Sequence, residues 1–236
     1  MSITIHPQTK PDSYEIFSLG ERAFTSINPV LFHTLPLSAA SKEAISAARA
    51  QSFGANPSAH GFKAVDKATG KIVGAAQWVV HEDDEVLSKT VEEEVDGRLA
   101  VEMPERRVDC ARAYYGMLSR GRRDVLGIKD GDGEEEQGAG EVKKLRKRVE
   151  LVSLFVDPGY QRRGIARSLL AWGIGKAARL GLEMSLEATR EGRRLYESVG
   201  FEVVKVEEFD ARGFGVDIVD EIAFMVRPVG VKGGPQ

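Results

Sequence analysis

Gln161, Arg162, Arg163, Gly164, Ile165 and Ala166 stand where an apolar strand pattern (Arg148 to Val156) gives way to an amphipathic helix pattern that ends at Gly181. The first amides of a helix lack intrahelical acceptors, and the helix dipole puts partial positive charge there. Gly164 and the small Ala166 let a pyrophosphate come close to those amides, and the arginines add charge-assisted contacts. The chemistry on offer is phosphate binding. The segment is not a P-loop, since no Gly-Lys-Ser/Thr follows, and Gln161 takes the place of the first glycine of a dinucleotide fingerprint. From these six residues alone, a plain solvated helix start is an equal alternative.

The elements that would position this turn can be read along the chain. Ile3 to His6 alternates as a short strand, and Tyr14, Phe17 and Phe24 are spaced for a helix after Pro11. Residues 27–37 read as a loop with short helical turns, and Ser41 opens a further helix that Gly54 and Pro57 end. "GFKAVD" and "KIVGAAQWVV" flank the turn "KATG" as a hairpin. Strand, helix, strand, helix, strand and strand then follow from Arg148 to Pro228, with no internal repeat.

Residues 81–147 break that rhythm. They open with an acidic run, pass through a helical spacing around Tyr114, Tyr115, Met117 and Leu118, and close on the Gly- and acid-rich "KDGDGEEEQGAGEVKK". The composition predicts an acidic, partly disordered insertion within one domain spanning 1–228, followed by a flexible tail at 229–236.

The 236 residues are 42% hydrophobic and 29% charged, with a net charge of −3, values that mark an ordinary globular chain rather than a nucleic-acid binder. No stretch approaches the ~20 apolar residues of a membrane crossing, and no signal-peptide pattern opens the chain. A single cysteine, Cys110, fits a reducing compartment. A cytoplasmic protein is expected, with the nucleus left open. His33, His60 and His81 show no metal-ligand spacing, so no metal is expected.

The segment "LFVDPGYQRRGIARSLL" closely resembles the acetyl-CoA-binding signature of the GCN5-related N-acetyltransferase (GNAT) superfamily, and "LEATREGRRLYESVGFEVV" resembles its second signature. The resemblance covers roughly Val149 to Val204. It implies a mixed, mostly antiparallel α/β sheet with helices on both faces, and acetyl-CoA as co-substrate. It implies that backbone groups of Leu154, Phe155 and Val156 meet the pantetheine arm, and that the amides from Gln161 to Ala166 hold the pyrophosphate, with Arg162 and Arg163 near CoA phosphates. Tyr196 matches the tyrosine that many members place near the CoA sulfur, where it can protonate the departing thiolate or position the thioester by hydrogen bonding; a packed core tyrosine is its plain alternative. Glu150 aligns with a water-mediated general base, and pairing with a basic neighbour explains it equally well. On strand alternation Glu150 shares a face with Leu154. Glu187 is a weaker candidate for the same job or for binding the substrate amine.

The implied reaction is direct acetyl transfer to a primary amine in a ternary complex. A small-molecule amine is the first expectation, a peptide or protein amine the second, and a non-catalytic acyl-CoA-binding module the third. Neither nucleic acid nor membrane is expected as a partner, and a homodimer stays open.

Overall fold

A computed structural model describes residues 2–128 and 142–231. Its main sheet has seven strands in the order β1-β2-β3-β6-β7-β9-β8. They are β1 (Ile3–Pro7), β2 (Ala59–Asp66), β3 (Ile72–His81), β6 (Arg148–Val156), β7 (Glu183–Thr189), β8 (Glu202–Asp210) and β9 (Val219–Arg227). Two short strands, β4 (Glu85–Val86) and β5 (Lys144–Leu145), pair with each other apart from it. Every neighbouring pair in the main sheet is antiparallel except β6 with β7. That parallel pair needs a crossover, and α6 (Ile165–Leu180) supplies it. The mixed, mostly antiparallel sheet is as expected.

The helices are α1 (Ser13–Ala23), α2 (Asn28–Leu31), α3 (Ala39–Ser52), α4 (Val91–Leu99), α5 (Val108–Leu126), α6 and α7 (Arg190–Glu197). Local chemistry sets their ends. Ser38, not Ser41, caps α3 by accepting from the Ser41 amide, and a reciprocal Thr90–Glu93 capping box opens α4. Gly181, at φ 63°, closes α6 in the left-handed conformation that glycine tolerates. None of the described helices is long and apolar enough to cross a membrane.

The sheet separates two apolar layers. On one side Trp78, Val149, Leu151, Leu169, Leu170, Met184 and Tyr196 share a core with α6 and α7. On the other, Phe224 and Ile222 pack with Tyr114 and Leu118 of α5, while Phe155 packs with Ile16 and Leu19 of α1. Helices thus cover both faces, as expected. Within the stretch anticipated as an insertion, α5 lies on the sheet with Cys110, Ala111, Tyr114 and Leu118 buried. Residues 129–141, where the Gly- and acid-rich loop was anticipated, and 232–236 of the anticipated tail lie outside the described residues.

One irregularity governs the centre of the sheet. Gln77 faces Ser153 and Trp78 faces Leu151, so Val152 is an extra residue on β6, a β-bulge. A bulge shifts the alternation by one. Glu150 therefore shares a face with Ser153 and Phe155, opposite Val79, Gln77 and Ala75, while Leu154 sides with Leu151 against Ala76 and Trp78. The expectation that Glu150 and Leu154 share a face fails at this residue.

Close packing of α5 on the sheet is testable. A Cβ on Gly121 would fall on the Phe224 ring. Gly121→Val should lower unfolding stability by about 1–3 kcal/mol through overpacking, read from the denaturant midpoint. An unchanged midpoint would mean that α5 does not rest on β9.

Candidate active site

β6 and β7 pair only from Arg148 to Leu151 against Glu183 to Leu186. Beyond the bulge the two strands part, although β6 runs on to Val156 and β7 to Thr189. On its far side β6 stays paired with β3 up to Val156. Its edge toward β7 is left with strand hydrogen-bonding groups that no strand uses. Two cavities open at this parting.

The larger, about 630 Å³, is lined by Leu154, Phe155, Val156, Gln161, Arg162, Gly164, Ile165 and Ala166, with Phe24, Arg167, Arg194 and Tyr196 closing its sides. Its volume is in the range of small-molecule and cofactor sites. At the α6 end, Arg162 at φ 62° and Gly164 at φ 80° are both left-handed. The amides of Gln161, Arg162, Gly164, Ile165 and Ala166 donate to nothing among the described residues. Free amides converging at a helix start form an anion-binding concavity.

The turn is braced from outside. Asp157 accepts from the Gly159 amide at 2.9 Å, Gln161 Nε2 donates to the Val156 carbonyl at 3.3 Å, and the Tyr160 hydroxyl donates to Asp66 at 3.1 Å. Arg163 turns back over Tyr160, its guanidinium 5.3 Å from the ring centre, and donates to the Gly159 carbonyl at 2.9 Å. Arg163 thus braces the turn and does not line the cavity, while Arg167 and Arg194, which no motif position marked, do.

The second cavity, about 350 Å³, lies on the α1–α5 side of the parting. Phe17, Phe24, Phe32, Tyr114, Tyr115, Leu118 and Ile222 give it an apolar, largely aromatic wall. Two carboxylates, Glu21 and Glu187, also line it. Each is engaged: Glu21 Oε2 lies 2.6 Å from Lys42 Nζ and its Oε1 accepts from the Leu37 amide, and Glu187 Oε1 lies 2.7 Å from Arg122 Nη2.

Tyr196 lines both cavities, together with Phe24, Leu154, Phe155, Thr189 and Gly192. It belongs to α7, which Thr189 caps by accepting from the Gly192 amide. Burial pushes its phenol above its usual pKa, so the group stays protonated at neutral pH. The hydroxyl has no hydrogen-bond partner among the described residues.

Glu150 lines neither of these cavities. It accepts from Arg148 Nη2 at 2.6 Å, with His81 Nε2 at 3.4 Å and Arg122 Nε at 3.6 Å. Burial by itself would raise its pKa; the charges of Arg122, His81 and Arg148 and a hydrogen bond from His81 outweigh that and hold the carboxyl well below the usual range. Ligand atoms of His81, Glu85 and Glu150 lie within 4.8 Å of one another, yet Arg148 Nη2 already sits between the two carboxylates, 2.7 Å from Glu85. The place a metal would take is filled by a guanidinium. Buried and fully paired, Glu150 fits the ion-pair alternative that its sequence position left open.

Residues 112–216 match the family model of the acetyltransferase (GNAT) domain. No functionally curated protein matches the sequence. Among solved structures, arylalkylamine N-acetyltransferase 2 from Aedes aegypti aligns over 98% of this chain and 100% of its own, with 16% identity and a TM-score of 0.63. The Drosophila melanogaster polyamine N-acetyltransferase aligns over 97% and 100%, at 15% identity and a TM-score of 0.59. A Corynebacterium glutamicum acetyltransferase, described as histone acetyltransferase HPA2 and related, aligns over 98% and 99%, at 19% and 0.55. At these identities the likeness is one of fold.

Two substitutions test the site. Gly164→Glu places a side chain at φ 80° and a negative charge among the free amides. It should abolish acetyl-CoA binding in calorimetry of the folded variant; undiminished affinity would remove the cradle assignment. Glu150→Gln should cost stability at neutral pH, toward the lower end of the ~3–5 kcal/mol for breaking a buried pair, since Arg148 keeps Glu85 and Arg122 keeps Glu187. The depressed folded-state pKa makes that stabilisation present above the unfolded value near 4.5 and lost as pH falls below it. The gap between the two proteins should therefore close in acid. Unchanged stability, with the acid limb of the rate profile removed, would instead make Glu150 the base.

Proposed function

We infer that this chain, which carries a GNAT acetyltransferase domain, moves an acetyl group from acetyl-CoA to the primary amine of a small molecule. One observation carries the reading. Tyr196, a protonated phenol without a partner, stands where the cavity of the amide cradle meets a second, aromatic-walled cavity. A thioester reaching along β6 from the cradle would arrive at that seam, and an amine in the second cavity would face it.

The chemistry balances with these groups. The neutral amine attacks the thioester carbonyl carbon, the C–N bond forms, and the C–S bond breaks. The departing thiolate takes the Tyr196 proton, and the proton shed by the amine ultimately restores the phenol. Glu21 and Glu187 are the carboxylates on the acceptor wall through which the amine proton can leave. Holding both reactants at one seam lowers the entropic part of the barrier.

A small acceptor is supported by the acceptor cavity itself. Residues of α1, α2 and α5 wall it, and at about 350 Å³ it has the size of a small-molecule pocket rather than of an open groove. The arylalkylamine and polyamine acetyltransferases that share the fold are named for small amines.

Tyr196→Phe keeps the ring in its core and removes the hydroxyl. The expected result is a fall in kcat of roughly 10²–10⁴-fold with the KM for acetyl-CoA preserved, because the proton transfer develops in the transition state. Thiol release from acetyl-CoA, under conditions where chemistry limits the rate, measures it. Wild-type kcat would make Tyr196 a packing residue, and its proton-donor role would fall; acetyl-CoA binding with no turnover of any amine would leave an acyl-CoA-binding module as the better reading.

A further inference from the structure

Arg49 of α3 and Arg98 of α4 line the acceptor cavity and not the cradle cavity. Both are exposed, which among the wall residues is otherwise true only of Val152, so they stand at an opening of the cavity to solvent. Each guanidinium lies over an aromatic ring of the same wall, Arg49 at 5.3 Å from the Phe17 centroid and Arg98 at 5.4 Å from that of Tyr115. Neither makes a hydrogen bond or an ion pair among the described residues.

The carboxylates that could neutralise them are spent elsewhere. Glu21 is held by Lys42 and Glu187 by Arg122. Beside Arg98 on α4, Glu94 pairs with Arg123 and Asp96 with Arg112. The cavity thus presents paired charges on its inner wall and two unpaired positive charges at its mouth. A planar guanidinium steadied on a ring offers a fixed fork of donors suited to a carboxylate. A second ammonium on the acceptor would meet repulsion at the same place.

We propose that the acceptor is an amine bearing a carboxylate at its far end, and that Arg49 and Arg98 receive that carboxylate while the amine faces Tyr196. The proposal rests on the acetyl-transfer reading and names its substrate class. It separates this chain from an enzyme for polycations, although a polyamine acetyltransferase shares its fold.

The test compares three acceptor types at matched chain length, over a series of lengths: an ω-amino carboxylate, the simple monoamine, and the α,ω-diamine. Thiol release from acetyl-CoA gives kcat/KM for each. At the best length and low salt, the amino carboxylate should exceed the diamine by roughly tenfold, the scale of two solvent-facing charge contacts, and added salt should shrink the ratio. Arg49→Gln with Arg98→Gln should bring the ratio toward one, and Arg49→Glu with Arg98→Glu should invert it, while the KM for acetyl-CoA holds. Preference for the diamine in the native chain, or a native ratio in the charge-reversed variant, would overturn the proposal. Turnover of all three acceptors without order would remove the proposal and leave acetyl transfer standing. Binding of acetyl-CoA with no turnover of any amine would remove acetyl transfer, and this inference with it.

Discussion

The parting of β6 from β7 is the constraint on which the site depends. A strand inside a sheet normally satisfies its backbone on both edges, and leaving one edge unpaired in the interior is costly unless something else fills it. Here β6 keeps β3 on one side to Val156 and loses β7 on the other after Leu151. The bulge at Val152 supplies the bend, since an extra residue on one strand kinks it and increases its twist. Tyr196, the cradle amides and the aromatic wall all face the opening it creates.

Directly beneath the parting lies a chain of buried charges. Arg122 reaches from α5 to Glu187 on β7 and toward Glu150 on β6, and Arg148 ties Glu150 to Glu85. Such pairs are weak evidence of stability, because desolvation offsets most of the attraction. Their geometry is more informative. Arg122 spans the two strands where their pairing ends, from Glu150 just before the last pair to Glu187 just past it, and it does so from the helix that also supplies Tyr114 and Tyr115 to the aromatic wall. One side chain thus ties the helix of the aromatic wall to both strands at the opening.

The half of the site that works through backbone was legible in the sequence. Free amides at a helix start require a left-handed glycine and a small residue, so Gly164 and Ala166 leave a local signature, and the second signature carries Tyr196 with its glycines. The half that works through side chains was not. Phe17, Glu21, Arg49, Arg98, Tyr114 and Tyr115 come from four separate helices and form a wall only when α5 lies on β9 and α1 on β6. No spacing along the chain encodes that meeting. The misreading of the Glu150 face has a sharper cause: period-two alternation assumes an unbroken ladder, and nothing in "RVELVSLFV" announces that Val152 is the extra residue. Arg163 illustrates a further limit, since a position in a motif does not say where the side chain goes, and here it turns back over Tyr160.

Tyr196 shows how the two halves are joined. Its ring is a core residue, edge-on to Phe201, and its place is fixed by the cap that Thr189 puts on α7. Gly192 lies one turn earlier, where a Cβ would stand 3.0 Å from the ring, so a larger residue there would crowd the phenol out of its position. Packing thus determines where the hydroxyl points, and nothing among the described residues bonds to it. The phenol, kept protonated by burial, stands open at the seam of the two cavities. Its hydroxyl thus ties the cradle cavity on one side to the aromatic wall on the other, which is the place that the proposed acetyl transfer asks of a proton donor.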